Sequence, residues 1–382
     1  MFTKSFRLFS IFGFRISIDA SWFVLAALIV WSLATGFFPD PDVLPDRSAT
    51  AYYLISAIAA AGMFASIVYH ELAHSLVARH YRIKIAGITL FIFGGVAELE
   101  DEPPTAKSEF LVAIAGPIAS LSLAGSLWLL LQILPEATPS YALIDYLAFM
   151  NTVLAVFNLI PAFPLDGGRV LRAALWWIQG SLSKATRIAS LLGAALGIAL
   201  MAYGAYNSYT SSSIGGMWQI LIGFFIFNAA GSARRQTEVI EALQGVSVGQ
   251  LMKAPPPSIP ADITVERVTE HPDLSGRDIS LPVTDNGQLI GIVEISALEK
   301  IPPEKRGEVA IRAITTALTA DETLSPDASA IAALRQLSRA RGNQALVVRN
   351  GQLAGWIHGR DIFDYINSHK QGGGSEIRQT AL

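Results

Sequence analysis

Six stretches of this chain stay apolar long enough to cross a bilayer, and that limits everything else it can be. A hydrocarbon core about 30 Å thick takes about 20 helical residues. The stretches run over 18–38, 52–78, 110–134, 143–161, 188–206 and 214–230. Backbone polar groups find no water there, so spanning segments of this length must be helices. Only 15% of the residues are charged while 52% are hydrophobic; a soluble domain carries about 25% charged residues. The deficit is confined to residues 1–235. The expected architecture is therefore a polytopic α-helical membrane domain over 1–235 and a linker over 236–245. A soluble α/β domain follows over 246–367, then a flexible tail over 368–382.

Basic residues orient the spans, since they gather on the cytoplasmic side. Lys4, Arg7 and Arg15 precede the first stretch, Arg79, Arg82 and Lys84 follow the second, Arg169, Arg172, Lys184 and Arg187 separate the fourth and fifth, and Arg234 and Arg235 follow the sixth. The intervening loops on the other side hold little positive charge. Both termini and the soluble domain are thus expected on the cytoplasmic face of the cell's inner membrane. No small-residue cleavage site follows the first apolar run, which reads as a retained span. Trp22, Trp31, Trp176, Trp177 and Trp218 read as interfacial anchors, and 170–178 as an interfacial helix. Between the second and third stretches, KIAGITLFIFGGVAELE is rich in β-formers and reads as a small membrane-associated sheet with a turn at Gly94-Gly95.

The net charge of −3 argues against a nucleic-acid partner. The chain has no cysteine, which excludes disulfides, thiolate metal sites and cysteine nucleophiles. Histidine and carboxylates remain as strong metal ligands. Within the second stretch lies His70-Glu71-Leu72-Ala73-His74. Histidines four apart on a helix are separated by about 40° around the axis and about 6 Å along it. Both imidazoles can grip one ion with Glu71 beside it, the HExxH arrangement of zinc hydrolases. An ionisable cluster inside a membrane segment is costly unless paired, so a structural role is a poor explanation. A zinc site needs a third protein ligand. Asp145 lies near the opposite end of its span, whereas Asp166, in NLIPAFPLDGGR, lies at the depth of His74. Asp166 is the expected third ligand. Glu71 is then the general base, and Asn158 a donor to the developing oxyanion, with Asn151 a weaker candidate on the same helix face. His80 reads as interfacial, and His271 and His369 as exposed.

HELAH in the second stretch, NLIPAFPLDGG in the fourth and Ala115-Gly116-Pro117 opening the third resemble the site-2 protease family of intramembrane zinc metalloproteases. The resemblance covers residues 1–235. It implies one zinc ion per chain, cleavage of a single-span membrane protein near its cytoplasmic end, and a surface sheet over 83–99 that holds the unwound substrate. Anti-sigma factors and leftover signal segments are the substrates it implies.

The region 246–367 contains a repeat. LPVTDNGQLIGIV from Leu281 matches ALVVRNGQLAGWI from Ala345, with Gly287 and Gly351 lying 64 residues apart. Each copy reads strand, Asn-Gly turn, strand. The repeat, over 246–305 and 310–367, resembles a tandem cystathionine-β-synthase (CBS) domain pair. That implies adenine-nucleotide binding and regulation of the attached domain, and a homodimer through the pair is a further expectation. The family's ribose-binding pattern survives only at Asp361; His358 replaces its hydroxyl, and Ala297 replaces the aspartate of the first copy. A helix N-cap is an equal reading of Asp361. The rival to a protease is a CBS-regulated transporter or channel with the His/Glu/Asp cluster on its ion path. Inverted repeats among the spans would mark it, and none is visible.

Overall fold

The computed structural model describes residues 5–83, 85–91, 94–99, 103–211, 215–255, 257–269 and 280–368. It divides into two compact units, Met1–Thr237 and Glu238–Leu382. His271, His369, residues 271–279 of the first repeat and the tail from 369 lie outside the described residues.

Among the described residues, six helices are long and apolar enough to cross a membrane. They comprise α1 (Ala20–Ser32, continued by a π-helical turn Leu33–Phe37), α2 (Ala49–His80), α3 (Ala106–Leu131), α4 (Pro139–Asn158), α6 (Leu182–Ser211) and α7 (Gly215–Leu243). Hydroxyl or carboxylate caps begin four of them. Asp19, Ser48, Thr105 and Thr138 each accept a backbone N–H of the first turn, satisfying donors that have no intrahelical partner. The short α5 (Asp166–Gln179) starts four residues before the expected interfacial helix and ends at Gly180 in the left-handed conformation. Glycines let α6 and α7 pack backbone to backbone: a Cβ on Gly197 would lie 2.7 Å from the Gly223 carbonyl oxygen.

The expected surface sheet has four strands, in order β1 (Ser5–Ile11), β2 (Phe14–Asp19), β3 (Ile85–Phe91) and β4 (Gly94–Leu99). Its first hairpin lies where sequence reading placed only a basic leader and the start of a span. Strands β2 and β3 pair in parallel, Ile16 opposite Ile88, and Ile16, Ile18, Ile88 and Leu90 are buried. The alternation of these residues along β2 is the period-2 signal of a half-buried strand, hidden by fusion to the apolar α1. Gly94 and Gly95 are not the turn; they open β4. Trp22 is likewise no simple anchor, because its ring packs on Phe64 with centroids 4.6 Å apart.

Residues 236–243, expected as linker, continue α7 as helix. The second unit holds two three-stranded sheets, β5-β6-β7 and β10-β9-β8. These are β5 (Ile259–Pro260), β6 (Ser280–Asp285), β7 (Gln288–Glu294), β8 (Thr323–Leu324), β9 (Gln344–Arg349) and β10 (Gln352–His358). Both Asn-Gly pairs make the expected hairpin turns: Asn286 and Gly287, like Asn350 and Gly351, have positive φ. Each sheet has its own apolar core, one centred on Val265, Val283 and Val293 and the other on Leu337, Val347 and Ile357. A final helix covers 359–368.

Candidate metal centre

Helix α2 brings His70 and His74 to one face, and both are buried. Asp166 joins them from the first residue of α5. The turn after α4 makes this possible. Gly167 and Gly168 lie so close to the backbone of 159–163 that a Cβ on either would overlap it. Only glycines let α5 begin there with the Asp166 carboxylate facing α2.

Three ligand atoms form a tight triangle. His70 Nε2 is 3.0 Å and His74 Nε2 3.2 Å from Asp166 Oδ2, and the two Nε2 atoms are 3.1 Å apart. Ligands about 2.0–2.1 Å from a tetrahedral zinc lie roughly 3.3–3.4 Å from one another, so the triangle has the dimensions of one face of that tetrahedron. The outer ring nitrogens are held from α3. His74 Nδ1 lies 2.6 Å from the Val112 carbonyl oxygen, and His70 Nδ1 lies 2.9 Å from Ser120 Oγ. A carbonyl only accepts, so the His74 proton is on Nδ1 and its Nε2 lone pair faces the triangle. Lone pairs and a carboxylate turned on one another fit a cation between them, and the donor set fits zinc. Sequence reading missed Ser120 and Val112, because a serine and a backbone carbonyl in a helix carry no local signature.

Gly116 explains the Ala-Gly-Pro motif: a Cβ there would overlap the Nε2 atoms of both histidines. On the other side of the site, β4 passes over Glu71. A Cβ on Gly95 would sit 2.9 Å from Glu71 Cγ and 3.1 Å from Ile67 Cγ2. The general-base candidate therefore lies between the ligand triangle and the edge strand of the sheet. Asn158 is half-buried, and its amide donates to the Leu154 carbonyl at 3.0 Å. Asn151 is fully buried and donates to Ser66 Oγ at 2.9 Å and to the Leu147 carbonyl at 2.8 Å.

Helix α5 is anchored by an ion pair inside the protein. Arg172 donates through Nε to Glu109 Oε1 at 2.6 Å and pairs with it through Nη2, and Glu109 is fully buried at the start of α3. In the second unit, Asp361 is the third residue of the last helix rather than its N-cap, a place taken by His358, whose Nδ1 accepts the Arg360 N–H. Asp361 Oδ2 accepts from the His358 N–H at 2.9 Å, while Oδ1 pairs with Lys253 Nζ.

Apolar helices that enclose two imidazoles, a carboxylate ligand and a second carboxylate define a metal-dependent hydrolase of the membrane-helix class. Peptidase family M50 matches residues 58–138 and 132–200, and the CBS domain matches 248–301 and 311–368. The Synechocystis protein sll0528, which carries a zinc metalloprotease name, is 32% identical over 362 residues, 94% of each chain. Zinc metalloprotease MJ0392 of Methanocaldococcus jannaschii is 30% identical over 358 residues, 94% of this chain and 95% of its own. A solved site-2 protease from the same organism aligns at 31% identity and TM-score 0.45, covering 61% of this chain and 96% of its own. This chain belongs to peptidase family M50, the site-2 protease family: it is a zinc metalloprotease with tandem CBS domains. The transporter reading is thereby set aside.

Proposed function

We propose that this protein carries out regulated intramembrane proteolysis, cutting a membrane-spanning segment of a single-span substrate near the cytoplasmic side. The observation that carries the reading is the ligand triangle. Three ligand atoms from two separate apolar regions lie within 4.8 Å of one another, with Glu71 one residue from His70.

His70, His74 and Asp166 would hold the zinc ion. When bound, zinc polarises the attacking water and the peptide carbonyl. Glu71 accepts the proton of that water and returns it to the leaving nitrogen. Asn158 swings from Leu154 to donate to the carbonyl oxygen as charge builds there. A helical substrate hides its carbonyls, so it must unwind first. An extended strand laid along β4 would present its backbone beside Glu71.

Lys and Arg distribution supports termini and CBS domains in the cytoplasm of a cell whose inner membrane holds the spans. The CBS pair is proposed to modulate cleavage and to join two chains as a homodimer. An adenine nucleotide at Asp361 would need Lys253 to swing away, because both carboxylate oxygens already have partners within their own domain.

The test is cleavage of a model membrane helix by the full-length, purified protein, paired with metal analysis. Glu71→Gln should retain a full complement of zinc and lose cleavage by at least about 100-fold. Asp166→Ala should lose zinc. Undiminished cleavage by Glu71→Gln would exclude it as the base, and undiminished zinc in Asp166→Ala would exclude that ligand.

A further inference from the structure

Between α2 and α4 lies a cavity of about 180 Å³, walled by Met63, Ile67, Met150, Leu154 and Phe157 with Ser66 and Asn151 at one side. An apolar cavity of about 150 Å³ accepts a benzene ring, so this one accepts a single large side chain. It is not a detached void. Ile67 lines it and also faces Gly95 of β4 beside Glu71, so the cavity borders the site where bond cleavage is proposed.

One polar atom beside it, with no surface open to the cavity, is unpaired. Asn151 Oδ1 is buried without a hydrogen-bond partner. The surrounding bonds fix which way the amide points. The Leu147 carbonyl can only accept, and the Ser66 hydroxyl gives its hydrogen to the Gly62 carbonyl at 3.0 Å. Both neighbours therefore demand the amide nitrogen, and both its hydrogens are used. The oxygen is left facing away with nothing to accept. Such an atom in an apolar surrounding costs free energy, and because it is closed off, the cavity's own lining is apolar.

The level of the cavity gives its place along a substrate. Ser66 and Ile67 precede His70 and Glu71 by four residues, about 6 Å along the helix axis. An extended peptide advances about 3.3 Å per residue, so the cavity lies about two residues from the bond beside the ligand triangle. It lies toward the start of α2, the side away from Arg79 and Arg82, where a substrate is still within the membrane.

We propose that this cavity is a specificity subsite: it takes one bulky apolar side chain of the unwound substrate, about two residues from the cut on the membrane-interior side. The proposal rests on the proteolytic reading above and names what the site selects.

Two measurements test it on the full-length, zinc-loaded protein in lipid nanodiscs. In the first, Glu71→Gln is illuminated with membrane-spanning peptides carrying a photoreactive leucine at successive positions. One position should cross-link to Met63, Met150 or Leu154, identified by mass spectrometry. Cross-links spread evenly among positions would overturn the subsite. So would a photoreactive acyl chain that labels the same three residues undiminished by saturating peptide, which would make the cavity a lipid site. This readout needs no cleavage, so it stands apart from failure of the protease reading, which would show as no cleavage by the unmodified chain. In the second, at the cross-linking position, leucine or phenylalanine should exceed alanine at least about tenfold in kcat/KM. Leu154→Trp, which fills the space, should reverse that order while still cutting the alanine substrate. An unaltered size preference in Leu154→Trp would sink the proposal.

Discussion

At the residue scale, the metal site depends on atoms that never touch the ion. Ser120 Oγ lies 2.9 Å from His70 Nδ1, so it holds the ring at an angle that presents Nε2. Such outer partners typically change metal affinity 10- to 100-fold. Ser120→Ala should lower zinc affinity by about that factor in a chelator competition, with unchanged helix content; equal affinity would make Ser120 a packing residue only. The contrast with the ligands themselves shows what sequence can carry. His70 and His74 were legible because helical spacing alone puts them together, and Asp166 because its depth matched theirs in an otherwise uncharged membrane region. Ser120 and Val112 were not, since their role exists only once α3 lies against α2. Asn151 falls between: sequence placed it on the right helix, but its unpaired oxygen follows from three bonds made by neighbours.

At the scale of elements, α5 is the part that has to be held still. It begins with a candidate metal ligand and is too short to cross a bilayer, so the long helices must fix it. The buried Glu109–Arg172 pair does so from α3. Removing one partner strands the other charge out of water, which typically costs about 3–5 kcal/mol. Arg172→Met should therefore lower thermal stability markedly, and zinc should leave at a lower temperature than in the parent. A melting point within a degree of the parent would show that α5 is held otherwise. The six apolar helices were legible from length and composition, but several run on past the apolar stretches, because caps such as Thr105 and Thr138 and the polar end of α7 lie outside them. The β1–β2 hairpin was not, because its apolar side chains merge into α1 without a break in hydropathy. The linker was legible as a boundary, since the two units divide between Thr237 and Glu238, but not in its form: polar residues 236–243 extend α7 as helix.

At the scale of the whole molecule, two units of different chemistry share one chain, an apolar peptidase unit and a soluble CBS pair. The second unit carries its own electrostatic fastening. The Asp361 carboxylate accepts a hydrogen bond from Lys253 and attracts its charge, raising the lysine above its ordinary value of 10.5. The folded state binds this proton more tightly than the unfolded chain, so the pair stabilises below the ordinary lysine range. The contribution disappears as pH rises through the raised value. The difference in melting temperature between the parent and Lys253→Met should be steady from pH 7 to 9 and shrink above about pH 10.5. A difference that persists unchanged at pH 11.5 would mean the lysine acts through its stem on Trp356, over which its ammonium sits at 6.0 Å.

Gly95 has a practical consequence for inhibitor design. With only a hydrogen atom on Gly95, the strand backbone lies directly against the Glu71 methylene. A peptidomimetic built as one extra strand would approach Glu71, the proposed base, through its main chain alone. Its potency would come from the backbone, and discrimination among relatives would be left to whatever single apolar group it projects toward Ile67.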